Sequence, residues 1–187
     1  MSAANRLPHL MTTAEFLAWQ PPDGSERWEL VEGIPRAMNA PSDRHAVIHG
    51  EVLRLIGNHL ADARPDCRVG IGSGLRPNDY NYRIPDLAVA CGPAATDNGS
   101  LRAPVLVIEI LSPSNEKDTW ANVAIYTTIP SIQEILVIDS VEIEAHVLRR
   151  PAEGAWPQQT LSRRDDTVTL ESVGFTALLA AFYRAMA

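Results

Sequence analysis

The run Pro104–Leu111 (PVLVIEIL) constrains the fold more than any other segment. Eight residues with a single charged one leave no polar face, so they read as a central strand covered on both sides. Strand alternation sets Glu109 on one face with Val105, Val107 and Leu111, and Leu106, Ile108 and Ile110 on the other. A carboxylate in such a strand loses its water, and an unpaired buried charge is very costly. Glu109 must therefore carry a proton, pair with a cation or bind a metal. A structural ion pair is as compatible with this strand as catalysis is, because arginine is plentiful: Lys117 is the only lysine among sixteen basic residues.

Around this strand the chain punctuates itself into alternating elements. Residues 10–19 read as a short helix capped by Thr12 or Thr13 and ended by Pro21-Pro22. Residues 28–37 read as a hairpin about Glu32-Gly33. Pro41-Ser42 introduces a helix over Asp43–Ala63, with Ile48, Val52, Leu55 and Ile56 as its apolar stripe. Strands are expected over 67–75 and 82–91, with Pro85 near a strand start or edge. A loop over 112–117 leads into a helix over 118–128. A hairpin over 134–148, a weak strand at Thr167–Leu170 and a closing helix over 176–186 follow. The order predicts an α/β or α+β fold in which helices flank a mixed sheet of five to six strands. One domain accounts for the length, with its core over about 25–187 and residues 1–24 as an N-terminal extension.

Composition narrows the function classes. No apolar run reaches the length of a membrane span, and the N-terminal residues lack the layout of a secretory signal. Cys67 and Cys91 do not make a disulfide framework, so free thiols in a reducing cytoplasm are the expectation. A net charge of −7 and a pI near 5.2 count against broad, nonspecific nucleic-acid binding.

A second acid joins Glu109. Asp86 follows Pro85 at the head of the apolar run LAVAC, 23 residues before Glu109. That spacing suits one strand, a loop and a neighbouring strand, with both carboxylates at one end of the sheet. Two such oxygen donors, a backbone carbonyl and waters make a typical Mg²⁺ or Mn²⁺ site, and phosphodiester hydrolysis uses such ions to activate water.

The order Trp28-Glu29-Leu30-Val31-Glu32-Gly33, Ala40-Pro41-Ser42 before His45, Tyr82-Arg83-Ile84-Pro85-Asp86, then PVLVIEILSPS followed by Asp118 and Tyr126 resembles the Uma-two family. That family lies within the PD-(D/E)xK, restriction-endonuclease-like superfamily. The likeness runs from about Thr12 to the C-terminus. It implies a restriction-endonuclease-like core and a metal-dependent endonuclease acting on DNA. Asp86 and Glu109 would be its metal ligands, with Glu29, His45 and Tyr126 as accessory residues. From the residues themselves, His45 reads more readily as a solvated helix-end histidine, and Glu29 as a charge on an exposed hairpin.

The pattern also breaks. The third position of Glu-x-Lys is Leu111, and the position where the family carries its lysine, between Asp118 and Tyr126, holds Asn122. Lys117 is the nearest substitute, although a solvated lysine paired with Glu116 or Asp118 explains it equally well. Three readings stand at this point. In the first, Asp86 and Glu109 bind Mg²⁺ and Lys117 or Asn122 positions the attacking water. In the second, the fold has lost catalysis and serves binding or assembly, with an arginine on Glu109. The third is a zinc site drawn from His45, His49, Cys67 and Cys91, which lack zinc-ribbon spacing. A homodimer suits duplex cleavage, and the apolar C-terminal segment serves such an interface or the chain's own core.

Overall fold

A computed structural model describes residues 10–186 apart from 23, 25–26, 94–95 and 98–99. Helix α1 (Thr13–Ala18) opens on a capping box: Thr12 Oγ1 accepts from the Glu15 N–H while the Glu15 carboxylate accepts from the Thr12 N–H. It is shorter than residues 10–19, because the Met11 N–H is drawn instead to the Gly33 carbonyl. Strands β1 (Trp28–Val31) and β2 (Ile34–Ala37) form the expected hairpin, closed by the two-residue turn Glu32-Gly33. Both turn residues have positive φ, 49° and 77°, as a type I′ turn demands. Asn81 holds Glu32 in that posture from both sides, accepting from its N–H and donating to its carboxylate.

Helix α2 (Asp43–Ala63) starts at Ser42, whose hydroxyl accepts from the His45 N–H. The remaining strands are β3 (Cys67–Ile71), β4 (Leu75–Asn78), β5 (Asn81–Arg83), β6 (Leu87–Cys91), β7 (Thr96–Asp97), β8 (Ser100–Leu101) and β9 (Pro104–Leu111). After helix α3 (Glu116–Tyr126) come β10 (Glu134–Asp139), β11 (Ala145–Arg149), β12 (Gln158–Leu161), β13 (Thr167–Leu170) and β14 (Phe175–Leu178). A 3-10 helix, Leu179–Met186, follows them.

The main sheet has six strands in the order β12-β11-β10-β9-β6-β3, with β9 and β10 parallel and the other pairs antiparallel. As the apolar run requires, β9 lies centrally. Its Leu106, Ile108 and Ile110 enter a core with Ile48, Val52, Ile56 and Phe182, and its Val107 and Leu111 enter a second core with Val123 and Tyr126. Helix α2 thus covers one face and α3 the other. A smaller sheet, β2-β1-β5-β4, packs Leu30 and Tyr82 against Phe16. Tyr82 lies so close to Gly74 that a Cβ there would sit 1.9 Å from the ring.

Several expectations need correction, the first being the strand over 67–75, which ends at Ile71, with Leu75 opening β4 in the small sheet. The single strand over 82–91 is broken at Ile84–Asp86, because Pro85 cannot donate to a ladder; β5 belongs to the small sheet and β6 to the large one. Residues 176–186 are not an α-helix. Phe175–Leu178 pairs with β13, and the Leu179 and Ala180 N–H groups then bond the Asp166 and Arg164 carbonyls. The apolar residues that follow, Leu179, Phe182 and Tyr183, close the chain's own core. Strand β12 (QQTL) was not foreseen, since its first three residues are exposed and polar. Finally, Cys67 and Cys91 are not free thiols. They face each other in the β3–β6 register with Cα atoms 3.9 Å apart and form a disulfide, which removes the compositional ground for a reducing compartment. Among the described residues no helix is long and apolar enough to cross a membrane.

Candidate active site

The break at Pro85 is what builds the site. Leu87 pairs with Ile108, so Asp86, one residue earlier, falls beside Glu109 where β6 enters the large sheet. The Ile110 N–H donates to Asp86 Oδ2 at 2.7 Å, locking the carboxylate to the central strand. His45 Nε2 lies 3.2 Å from the same oxygen, and His49, one turn on, donates from Nε2 to the Asp86 carbonyl at 3.1 Å. The imidazoles are near-parallel, so the first two turns of α2 hold Asp86 by side chain and backbone together.

Glu109 is 6 % exposed and accepts from the Tyr126 hydroxyl at 2.8 Å. Among the described residues no Lys, Arg or His lies within 4.0 Å of it, so the arginine expected from a purely structural role is not there. Burial drives its carboxyl well above the usual range, the Asp86 charge adds to this, and the Tyr126 hydroxyl and Asp86 backbone partly oppose it. Tyr126 is raised in turn, by burial first and then by the Glu109 and Glu29 charges.

Glu29 reaches the same place from the hairpin. Its Oε1 accepts from the Ile84 N–H at 2.7 Å, and Arg83 Nη1 lies 3.8 Å from its Oε2. Burial raises its carboxyl, the Ile84 N–H and Arg83 counter this, and Asp118 and Asp86 push the same way as burial. Arg83 is itself buried, anchored to Asn81 Oδ1 at 3.0 Å. Two buried polar atoms here, His45 Nδ1 and Arg83 Nε, have no hydrogen-bond partner among the described residues.

Glu29, His45, Arg83, Asp86 and Glu109 line one cavity of about 220 Å³, together with Arg27, Arg36, Ser112, Ser114, Asp118 and Asn122. The structure therefore brings together Glu29, His45, Asp86, Glu109, Asn122 and Tyr126, the last through its bond to Glu109. Asp118 and Asn122 line the cavity from the helical face that also carries Tyr126, as their spacing predicts. Lys117 is exposed and does not line the cavity, since a step of about 100° along α3 turns it away. Neither His45 nor Glu29 is a solvated surface group. The sequence carried a signal for His45: it stands three residues before Ile48 and so begins the buried stripe of α2. Sequence reasoning gave no role to Arg27 or Arg36, and placed His49 only in the zinc reading. Arg27 could have been found by alternation, because it stands just before β1, two residues from Glu29 and four from Val31, and lines the cavity with them. Cys67 and Cys91, joined to each other, offer no thiolate to a zinc site with the histidines.

Known proteins resemble this chain in sequence and in fold. The chain is 30% identical over 182 residues to an uncharacterized protein of Synechocystis sp. (strain ATCC 27184 / PCC 6803 / Kazusa), covering 95% of this chain and 93% of that one. The crystal structure of a putative nuclease belonging to DUF820 from Anabaena variabilis ATCC 29413 has the same fold. It matches with a TM-score of 0.75 at 21% identity, over 95% of this chain and 99% of that one. Residues 13–181 match the Uma2 family, described as "Putative restriction endonuclease", and the chain belongs to that family.

Proposed function

We propose that the chain is a Mg²⁺- or Mn²⁺-dependent endonuclease that hydrolyses DNA phosphodiester bonds. Glu109 carries this reading. A buried carboxylate set beside Asp86, and held by a tyrosine instead of a cation, is unfavourable unless a positive charge arrives from outside the chain. The donors suit a hard divalent ion. Asp86 Oδ1 and Glu109 Oε2 have no side-chain donor among the described residues, and two carboxylates are a usual protein share of a Mg²⁺ site. Among the described residues, the one set of three His, Cys, Asp or Glu ligand atoms within 4.8 Å of one another is Asp66, Cys67 and Cys91, whose cysteines are already joined. The cavity therefore matches a sparse, water-completed oxygen site better than the closed cage of structural zinc. When bound, such an ion supplies charge neutralisation at the phosphodiester and activation of the attacking water.

The chain's own residues do the positioning. His45 and the Ile110 N–H fix the Asp86 carboxylate, Tyr126 fixes Glu109, and outer partners of this kind govern metal affinity. Arg83 adds a permanent positive charge beside Glu29, because guanidinium keeps its proton. Asn122 can orient a water through its amide, though it brings no charge to a developing oxyanion.

That last point favours a second reading, a catalytically lapsed member acting in binding or assembly. Its specific support is Asn122 at the lysine position with Lys117 outside the cavity. Calorimetric titration with Mg²⁺ and Mn²⁺, alongside nicking of supercoiled plasmid, separates the two. The nuclease reading requires that wild type bind metal and nick DNA, and that Asp86→Ala and Glu109→Ala lose both. Wild type that neither binds metal nor nicks DNA would leave the lapsed enzyme. A single copy is expected to nick; prompt linearisation would indicate a two-fold homodimer.

A further inference from the structure

We infer that Arg27 and Arg36 of the first hairpin form a phosphate clamp that holds the DNA backbone over the carboxylates. The inference rests on the nuclease reading and goes beyond it, because it assigns substrate contacts to residues that take no part in binding metal. Strand β1 is two-faced. Trp28 and Leu30 enter the aromatic cluster with Phe16 and Tyr82, whereas Arg27, Glu29 and Val31 line the cavity. Register brings β2 into the same wall, since Arg36 is the cross-strand partner of Glu29 and side chains of directly paired residues share a face.

Among the described residues, no acid neutralises either guanidinium. Glu29, the cross-strand partner of Arg36, is committed to the Ile84 N–H and to Arg83. Arg27 donates to the Asn39 carbonyl at 3.2 Å, a neutral acceptor, and both arginines are exposed. Among the described residues no carboxylate lies within 4.0 Å of either one. Two cations left uncommitted at the mouth of an acidic cavity need an anionic partner from solution. Arginine's forked donors match phosphate oxygens bidentately. In a chain of net charge −7, such local contacts are also what DNA binding requires.

The test is the salt dependence of binding to a short phosphorothioate DNA duplex, which resists cleavage. It is followed by fluorescence anisotropy at a fixed, low magnesium concentration. Wild type is compared with Arg27→Ala, Arg36→Ala, the double variant and Arg163→Ala, an exposed arginine on a distant turn that pairs with Asp165. Each clamp substitution is expected to flatten the slope of log Kobs against log[salt] by about 0.9, and the double variant by about twice that. Arg163→Ala should match wild type. Magnesium affinity, measured separately by calorimetry, should stay within about twofold for both clamp variants, since counterion release concerns the DNA alone. Wild-type slopes in Arg27→Ala and Arg36→Ala would overturn the clamp and leave the nuclease reading intact, as would a loss of magnesium affinity without a change in slope. If wild type fails to bind the duplex at any salt concentration, the DNA reading itself falls and the clamp with it.

Discussion

Replacing Glu109 by Gln tests whether the buried carboxylate is the strained group the site implies. The amide keeps the shape and still accepts from the Tyr126 hydroxyl, but it does not titrate. In the native, metal-free protein the Glu109 carboxyl ionises only well above its ordinary value near 4.5, because burial and then the Asp86 charge oppose ionisation. The unfolded chain ionises near the ordinary value. The contribution of Glu109 to stability is therefore complete below that value and is lost as pH rises towards and through the native one. Within that window each pH unit costs wild type about 1.4 kcal/mol that the variant does not lose. Glu29, also raised, titrates in both proteins and cancels to first order. For a chain of this size the difference corresponds to about 3–5 °C in Tm per pH unit. Thermal melts in EDTA from about pH 5 to pH 8 measure it. Saturating Mg²⁺ should then stabilise wild type, by about 2.7 kcal/mol at a hundred times Kd, and leave Glu109→Gln unmoved. Parallel pH curves for the two metal-free proteins would refute the argument, since they would mean that Glu109 pays no penalty for its charge.

Three further outcomes follow from the geometry. Tyr126→Phe removes the one side-chain donor to Glu109 among the described residues, and calorimetry should show Mg²⁺ affinity lowered about 10- to 100-fold, with about 1–3 kcal/mol of stability lost in a urea titration. Lys117→Ala should leave plasmid nicking within about twofold of wild type, whereas Asn122→Ala should reduce it, on the order of tenfold for a lost water-positioning group; the reverse ranking would show that Lys117 reaches the reacting centre. Reduction of the Cys67–Cys91 disulfide, which closes a loop with a sequence separation of 24, should lower stability by about 3 kcal/mol without abolishing metal binding, as melts with and without reductant would report.

Most of the architecture was legible because it rests on periodicity. Apolar PVLVIEIL demanded a doubly covered strand, and β9 is one; Ser42 and the stripe from Ile48 onwards fixed α2 to the residue. What escaped depends on pairing between distant segments. The β3–β6 register that brings Cys67 opposite Cys91 cannot be read from either strand alone. Strand β14 exists because β13 lies beside it, against a local pattern that suggests helix. At the site, Asp86 and Glu109 stood out because acids in apolar strands are anomalous. His45 and Glu29 did not, since their burial comes from what packs over them. Lys117 looked apt by chain distance alone, and its direction around α3 removes it from the cavity.

The bond from the Ile110 N–H to Asp86 has a consequence for how the site comes into being during folding. Its two carboxylates belong to strands that meet only through long-range pairing, with alternation holding Glu109 on one face of β9 and Ile108 and Ile110 on the other. A slip of one residue between β6 and β9 would turn the apolar side chains of one strand to the wrong face. It would part Asp86 from its amide donor at the same time. Misassembly thus cannot yield a partly working centre, and a divalent ion has no preformed site in the unfolded chain. Metal affinity should consequently appear all at once with native packing, making bound cation a reporter of correctly registered molecules and of little help to intermediates.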